Sequence, residues 1–173
     1  MIKTLRLAIR YSVCRRQFST IPGSKEERKI LDYQSHMFKL GPLLSDAYMM
    51  IITGKFLQAY KKEADREVEQ DNFKKLDILH HFTSGFKSLY TQSAYEGIDL
   101  CRQACGGAGY SAFSGLPQEV VDYAPMAIFE GDNTVMAQQN AKYIIKKVTK
   151  AQQGKKAKGL FTYFNSLESL CSL

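Results

Sequence analysis

Glu130 stands at a junction where a carboxylate could work as a base. It ends the apolar-leaning run Ala124-Pro125-Met126-Ala127-Ile128-Phe129, and Gly131 and the helix-starting cluster Asp132-Asn133-Thr134 come after it. Apolar surroundings disfavour a charged carboxylate, and one tuned upward in that way suits general-base work near neutral pH. Gly131 leaves room beside it. The plainer reading is an acid at a helix start, where its charge meets the positive end of the helix dipole. Local chemistry leaves both readings open. Upstream, Gly106-Gly107-Ala108-Gly109-Tyr110 offers bare backbone that a ligand can approach closely. It follows no strand, so it is neither a dinucleotide fingerprint nor a P-loop. In Arg15-Arg16-Gln17-Phe18, at the end of the first helical pattern, an Arg could clamp a diphosphate with paired donors or serve as a cation at a helix C-terminus.

Other chemistry-bearing residues point to less. His36, His80 and His81 have no carboxylate or Cys partner at metal spacing, and no catalytic role is assigned to them. The four cysteines, Cys14, Cys101, Cys105 and Cys171, form no CxxC pair, so no metal site is expected. Cys101 and Cys105 have core spacing on a helix, and reduced thiols in an intracellular compartment are the simplest assumption. The net charge of +7 concentrates in the first 16 residues and in Lys142 to Lys158. Such an excess suits nucleic acid, anionic lipid or a nucleotide-like cofactor, or else a solvated basic face and tail. The aromatics lie on helix core faces rather than forming a stacking platform, so no nucleic-acid partner is expected. No apolar run is long enough to span a membrane.

These residues must be positioned by helices. Leu5, Ile9, Val13 and Arg16 recur at three- and four-residue steps, as on one helix face. Ser19 to Lys25, with Pro22 and Gly23, reads as a loop. A long helix is expected from about Glu27 to Val68, with Leu31, Phe38, Leu40, Leu43, Leu44, Tyr48, Ile51, Ile52, Phe56 and Tyr60 as a wide apolar stripe. Pro42 should kink or break it near Leu40-Gly41. A third helix is expected from Asn72 to Ala104, capped by Asp71, with Leu76, Leu79, Phe82, Phe86, Leu89, Tyr90, Ile98 and Leu100 on its core face. Residues 106 to 129 keep no sustained period and read as a long, functional loop. A fourth helix runs from about Asn133 to Lys150, with Val135, Met136, Tyr143, Ile144 and Val148 inward. Residues 151–173 come next as a basic linker and a short helix from Leu160 to Leu170. No strand alternates cleanly. The expected fold is all-α, an antiparallel four-helix bundle over residues 1–150.

Three motifs in register resemble the C-terminal α domain of the acyl-CoA oxidase family, within the wider acyl-CoA dehydrogenase fold. They are Ile9 to Phe18 with Ile30-Leu31-Asp32-Tyr33-Gln34, then Cys101 to Ser111 with Ser114-Gly115-Leu116-Pro117, then Phe129 to Val135. The resemblance spans about residues 5 to 150 and favours the oxidase branch over the dehydrogenases. It implies a flavoenzyme of fatty acid β-oxidation. A carboxylate removes the α-proton of a fatty acyl-CoA while hydride leaves the β-carbon for FAD, and O₂ becomes H₂O₂. By resemblance Glu130 is that base. Arg15 would contact the FAD diphosphate. Phe18, Tyr33, Gln34, Gln103, Gly106 and Gly107 would make further FAD contacts, normally to the neighbouring subunit's flavin, and Asp132, Asn133 and Thr134 would lie beside the flavin. The cofactor carries the redox chemistry.

The sequence departs from the family pattern in two ways. Ala108 stands where the oxidases often carry His. The family's N-terminal α domain, middle β domain and second C-terminal α domain have no counterpart in this sequence, so the chain alone is not expected to be active. A homo-oligomer or a partner chain supplying those domains is expected, because such a bundle leaves apolar surface uncovered. The alternative is a catalytically inactive module that serves as an assembly subunit. A basic RNA- or lipid-binding helical protein is a weaker third reading. The resemblance implies a peroxisomal setting. The acid-free, Arg-bearing first 25 residues leave a mitochondrial presequence as the alternative to a first core helix. Cys171-Ser172-Leu173 is a near miss to the peroxisomal Ser-Lys-Leu address, lacking its basic middle residue.

Overall fold

A computed structural model describes residues 1–19 and 21–166. Among these the chain is all-helical apart from one isolated antiparallel bridge, Arg16 to Lys29. Helix α1 spans Ile2–Cys14 and buries Thr4, Leu5, Ala8 and Ser12. That face is rotated from the expected one: Val13 is 41% exposed and Arg16 is exposed. Small residues set the seam, because Ala8 and Ser12 let neighbouring helices approach closely. The buried hydroxyls are satisfied inside the helix, Thr4 Oγ1 donating to the Met1 carbonyl at 2.7 Å and Ser12 Oγ to that of Ala8 at 2.6 Å. Of the acid-free N-terminal residues, Thr4, Leu5, Ala8 and Ser12 thus belong to the core.

After α1 the chain doubles back. The Gln17 amide donates to the Arg28 carbonyl at 2.9 Å, that of Arg28 to Phe18 at 2.8 Å and that of Ile30 to Arg15 at 2.9 Å. This pairing engages residues 28–30, so α2 begins later than expected, at Gln34, after a 3-10 turn at Ile30–Asp32. It then runs to Val68 and stays helical through Pro42. The proline removes one backbone donor without ending the helix. The next turn carries Asp71 at φ +57° and α3 spans Lys74–Ala104, so Asp71 is not its cap; the Asn72 side chain accepts from the Lys74 amide at 3.4 Å.

α3 is the spine. Against α2 it pairs Ser93 with Asp46, Tyr90 with Thr53, Phe82 with Phe56 and Tyr60, and Lys75 with Glu63 and Glu67. One sequence rises as the other falls, so the two helices are antiparallel. Residues 106 to 129 are not a loop but a chain of short helices. These are α4 (Gly106–Tyr110), a 3-10 turn (Ala112–Ser114), α5 (Leu116–Tyr123) and a second 3-10 turn (Ala124–Ala127). Gly115 at φ +69° resets direction, and Pro117 and Pro125 start the next segments. Helix α6 spans Asn133–Gln152, its start capped by the Asp132 side chain, which accepts from the Thr134 amide at 2.8 Å. It runs antiparallel to α3, as Asn133 meets Thr91 and Tyr143 meets His81.

Beyond α6 a 3-10 segment, Gly159–Ser166, lays buried Phe161 against His81, Phe82 and Tyr143. Residues 167–170 of the expected last helix, and Cys171-Ser172-Leu173, lie outside the described residues. The expected antiparallel four-helix bundle is the fold observed, built from α1, α2, α3 and α6. Its core gathers Leu5, Ala8, Leu40, Leu43, Cys101 and Leu116. The wide stripe of α2 is only partly inside it. Leu40 and Leu43 are buried, but Phe38 is 70%, Tyr48 61% and Ile52 58% exposed. Leu76, Leu89 and Val135 are exposed as well. A stripe wider than one bundle can cover leaves an apolar face open.

Candidate active site

Glu130 occupies the turn between the second 3-10 segment and α6, with its backbone in the left-handed region at φ +56°, and Gly131 comes next at φ +100°. For a residue with a Cβ that conformation costs about 1–2 kcal/mol, and it persists only where neighbours hold it. The carboxylate is exposed and makes no hydrogen bond or ion pair among the described residues. The apolar run before it does not wrap it within this chain, since Ile128 is 67% and Phe129 45% exposed. Those side chains point outward, so any apolar enclosure of Glu130 must come from elsewhere. Gly131 is favoured by its φ of +100°; a Cβ there would stand 2.6 Å from the Met136 methyl, the flexible end of a side chain that can move aside.

Main-chain and amide groups around Glu130 are engaged by α3. Lys87 Nζ donates to the carbonyl of Gly131, to that of Ala127 at 3.4 Å and to Asn133 Oδ1 at 2.9 Å. Ser88 Oγ donates to the Asn133 carbonyl at 2.9 Å, and Thr91 Oγ1 to Asn133 Oδ1 at 3.0 Å. Sequence reading missed Lys87, Ser88 and Thr91. Their signal is a polar set at one-turn spacing, Lys87 and Ser88 with Thr91 one turn on, interleaved with the aromatic Phe86 and Tyr90. Of the residues expected beside a flavin, Asp132 is engaged as the α6 cap and Thr134 is exposed. Asn133 keeps a buried Nδ2 donor without a partner among the described residues.

The remaining expected cofactor residues gather elsewhere. Arg15 is exposed just past α1, its Nη2 donating to Gln17 Oε1 at 2.9 Å. Phe18 sits at φ +58° and is 69% exposed. The Tyr33 hydroxyl donates to the Gln17 carbonyl at 2.8 Å beneath the Arg28 guanidinium, 5.2 Å from the ring centre. Gln34 is exposed at the first position of α2. Gln103 Nε2 donates to Asp99 Oδ2 at 2.6 Å. Burial pushes the Asp99 carboxyl up, but hydrogen bonds from Arg102 and Gln103 outweigh it and hold the group below its ordinary value. Gly106, at φ +55°, and Gly107 face open space among the described residues, with none of their atoms within 4 Å of where a Cβ would stand. Gly109 differs: a Cβ there would lie 1.8 Å from the Arg102 carbonyl oxygen. Ala108 is exposed beside them.

The two clusters do not meet within one chain. Asn133 abuts Thr91, and Cys101 lies against Thr4. Thr91 to Cys101 and Thr4 to Cys14 each rise about 15 Å at helical pitch, which puts Arg15 on the order of 30 Å from the Glu130 turn. Arg15, Phe18, Tyr33, Gln103 and the glycine pair share the end of the bundle where α1 and α3 terminate and α2 starts. His81 is no part of either cluster. It is buried and stacked on Tyr143 at 4.4 Å, and burial, then Lys147 and His80, push its pKa down. Cys101 is buried as well, and burial raises its thiol to about 11.

The fold is that of an all-α, antiparallel helical-bundle domain, and known proteins share it. The family model described as acyl-CoA oxidase, C-alpha1 domain, matches residues 1–145. Mouse peroxisomal acyl-coenzyme A oxidase 1 is 41% identical over 167 residues, covering 96% of this chain and 25% of that protein. An Arabidopsis thaliana putative peroxisomal acyl-coenzyme A oxidase 1.2 is 34% identical, covering 98% and 26%. The crystal structure of a tomato acyl-CoA oxidase superposes with a TM-score of 0.91 at 35% identity, over 97% of this chain and 26% of that one. Caenorhabditis elegans acyl-CoA oxidase-1, complexed with FAD and ATP, gives 0.87 at 32%, over 92% and 24%. The chain therefore belongs to the acyl-CoA oxidase family and corresponds to its C-alpha1 domain. It spans about a quarter of the length of the curated relatives it matches.

Proposed function

We propose that this chain is the base-bearing helical domain of a peroxisomal, FAD-dependent acyl-CoA oxidase that acts in fatty acid β-oxidation. The observation that carries this reading is the free Glu130 carboxylate: the turn around it is bonded into α3, while the acid has no partner of its own among the described residues. A side chain left unengaged on a fixed main chain is available to a substrate. Glu130 would take the α-proton of a fatty acyl-CoA thioester onto a carboxylate oxygen, giving a trans-2-enoyl-CoA as product. Bound FAD would supply the acceptor for the β-hydride and the route of the electrons to O₂.

The chain's own residues fit that cofactor. Arg15 offers an exposed guanidinium suited to a diphosphate, and Gly106 and Gly107 offer backbone with open space above it. Asn133 offers a buried donor in need of an acceptor. Tyr33, Gln34, Phe18 and Gln103 would line the Arg15 end, and Asp132 and Thr134 the Glu130 end. Since about 30 Å of helix separates the ends, the Arg15 end of one copy would serve the flavin that faces Glu130 of another. The domains that complete each pocket would come from the rest of a longer chain or from a partner. They would also cover the open apolar face, including the groove of about 340 Å³ lined by Ile2, Leu5, Ile9, Leu44 and Ile51. We read residues 1–150 as the oxidase-type bundle and 151–173 as its basic extension.

The relatives are oxidases by name, which favours this reading over a silent assembly module. Their peroxisomal names also favour that compartment over a mitochondrial one. The test is to assemble the complex, measure flavin absorbance, and compare Glu130→Gln with wild type. Flavin retained with loss of H₂O₂ formation supports the reading. A purified complex without flavin, or a Glu130→Gln variant as fast as wild type, overturns it.

A further inference from the structure

The Lys87 ammonium is half-buried in α3, and it faces three neutral oxygens rather than a carboxylate. A lysine has three N–H donors and no acceptor, and here each donor has one target. Two of those targets, the Ala127 and Gly131 carbonyls, lie on either side of Glu130 along the chain. The third, Asn133 Oδ1, belongs to the first residue of α6. Thr91 Oγ1 shares that oxygen, and Ser88 Oγ takes the Asn133 carbonyl. One rigid helix therefore holds the main chain before and after a non-glycine residue at φ +56°. The exposed side chain of this left-handed glutamate has no hydrogen bond or ion pair among the described residues to keep it there. The geometry points to Lys87 as the positioning residue for Glu130: it pins the turn so that the carboxylate meets the α-hydrogen of the substrate in one orientation.

This inference rests on Glu130 being the base. Proton abstraction depends steeply on alignment, and a misplacement of about 1 Å is worth on the order of a hundredfold in rate. Lys87 itself touches neither substrate nor flavin; it acts through the turn. Removing it should lower kcat and leave KM little changed, because binding surfaces elsewhere are untouched. It should also make proton abstraction more rate-limiting, so the kinetic isotope effect with α-deuterated acyl-CoA should rise. A loss of folded enzyme would lower turnover without changing that isotope effect.

The experiment compares Lys87→Met, Glu130→Gln and wild type in the assembled, flavin-loaded enzyme. It measures kcat, KM, the α-deuterium isotope effect and amide hydrogen exchange. The expected result for Lys87→Met is a 10- to 100-fold fall in kcat, a larger isotope effect, and faster exchange confined to residues 128–134. If Lys87→Met does not assemble, Lys87→Arg is read by the same measurements, since one guanidinium cannot direct three N–H bonds from a single atom. Glu130→Gln inactive with the Lys87 variant unchanged in kcat, isotope effect and exchange overturns the positioning role and leaves the base assignment standing. Glu130→Gln at wild-type speed overturns the base assignment and the positioning role with it.

Discussion

The Glu130 turn and the Gly106 turn use the same backbone device and support it in opposite ways. Both place a residue in the left-handed region, at φ +56° and φ +55°. At Glu130 a side chain bears the strain, and Lys87, Ser88 and Thr91 hold the turn from α3. At Gly106 the missing Cβ removes the strain, and no described residue stands within 4 Å of that position. On the proposed reading, a carboxylate that must reach one hydrogen atom needs a fixed main chain, whereas a surface that receives a flat cofactor needs clearance. The two turns are two answers to two requirements.

Substitutions can break that contrast. The largest effect is expected for Glu130→Gln, a loss of 10²–10⁴ in kcat with flavin retention unchanged, read by steady-state assay and absorbance. Glu130→Gly should lose the same activity yet gain about 1 kcal/mol in thermal unfolding, because glycine accepts the left-handed backbone. At the other turn Gly109→Ala should cost about 3 kcal/mol, the upper end of overpacking, since its Cβ would meet the Arg102 carbonyl. Gly106→Ala should cost about 1–2 kcal/mol, from backbone strain alone. Gly107→Ala should change stability by less than about 0.5 kcal/mol while weakening flavin retention on dilution; full retention would remove the clearance argument.

The smallest effect is expected with pH, at a place belonging to neither turn. Burial lowers the pKa of His81 first, with Lys147 and His80 adding to it; burial and then Lys39 do the same for His36. The folded state thus prefers both rings neutral, and the unfolded state binds more protons below the ordinary value of 6.5. Stability from these groups is complete above pH 6.5 and is lost as pH falls through the lowered folded values. A decline in melting temperature below pH 6.5 that is shallower in His81→Phe is the outcome that checks this.

Much of the bundle was legible because periodicity reports burial. The ends of α2 and α6, the antiparallel order and the helix-starting role of Asp132 come from patterns of three to four residues and from cap chemistry. The start of α2 was not, because a backbone pairing of residues 15–18 with 28–30 leaves no side-chain period. Residues 106 to 129 misled for a related reason: helices of a turn or two are too short to display a period. The faces of α1 and α2 were misjudged because apolar character marks what wants covering, not which cover is present. Ala8 and Ser12 are inside while Phe38 and Tyr48 are outside. For the site, residue type pointed at Glu130 and the glycine pair. The Lys87 support was hidden because its targets are main-chain oxygens, which every residue has.

The spine position of α3 also sets an order of assembly. α2 and α3 are neighbours in sequence, joined by a turn of residues 69–73, so their pairing closes short loops. The Thr4 to Cys101 contact must close nearly the whole intervening chain. Local closures cost less entropy and form faster. As the chain leaves the ribosome, α1 emerges before α2 and α3, and its small-residue seam stays unmatched until the last turns of α3 arrive to receive it.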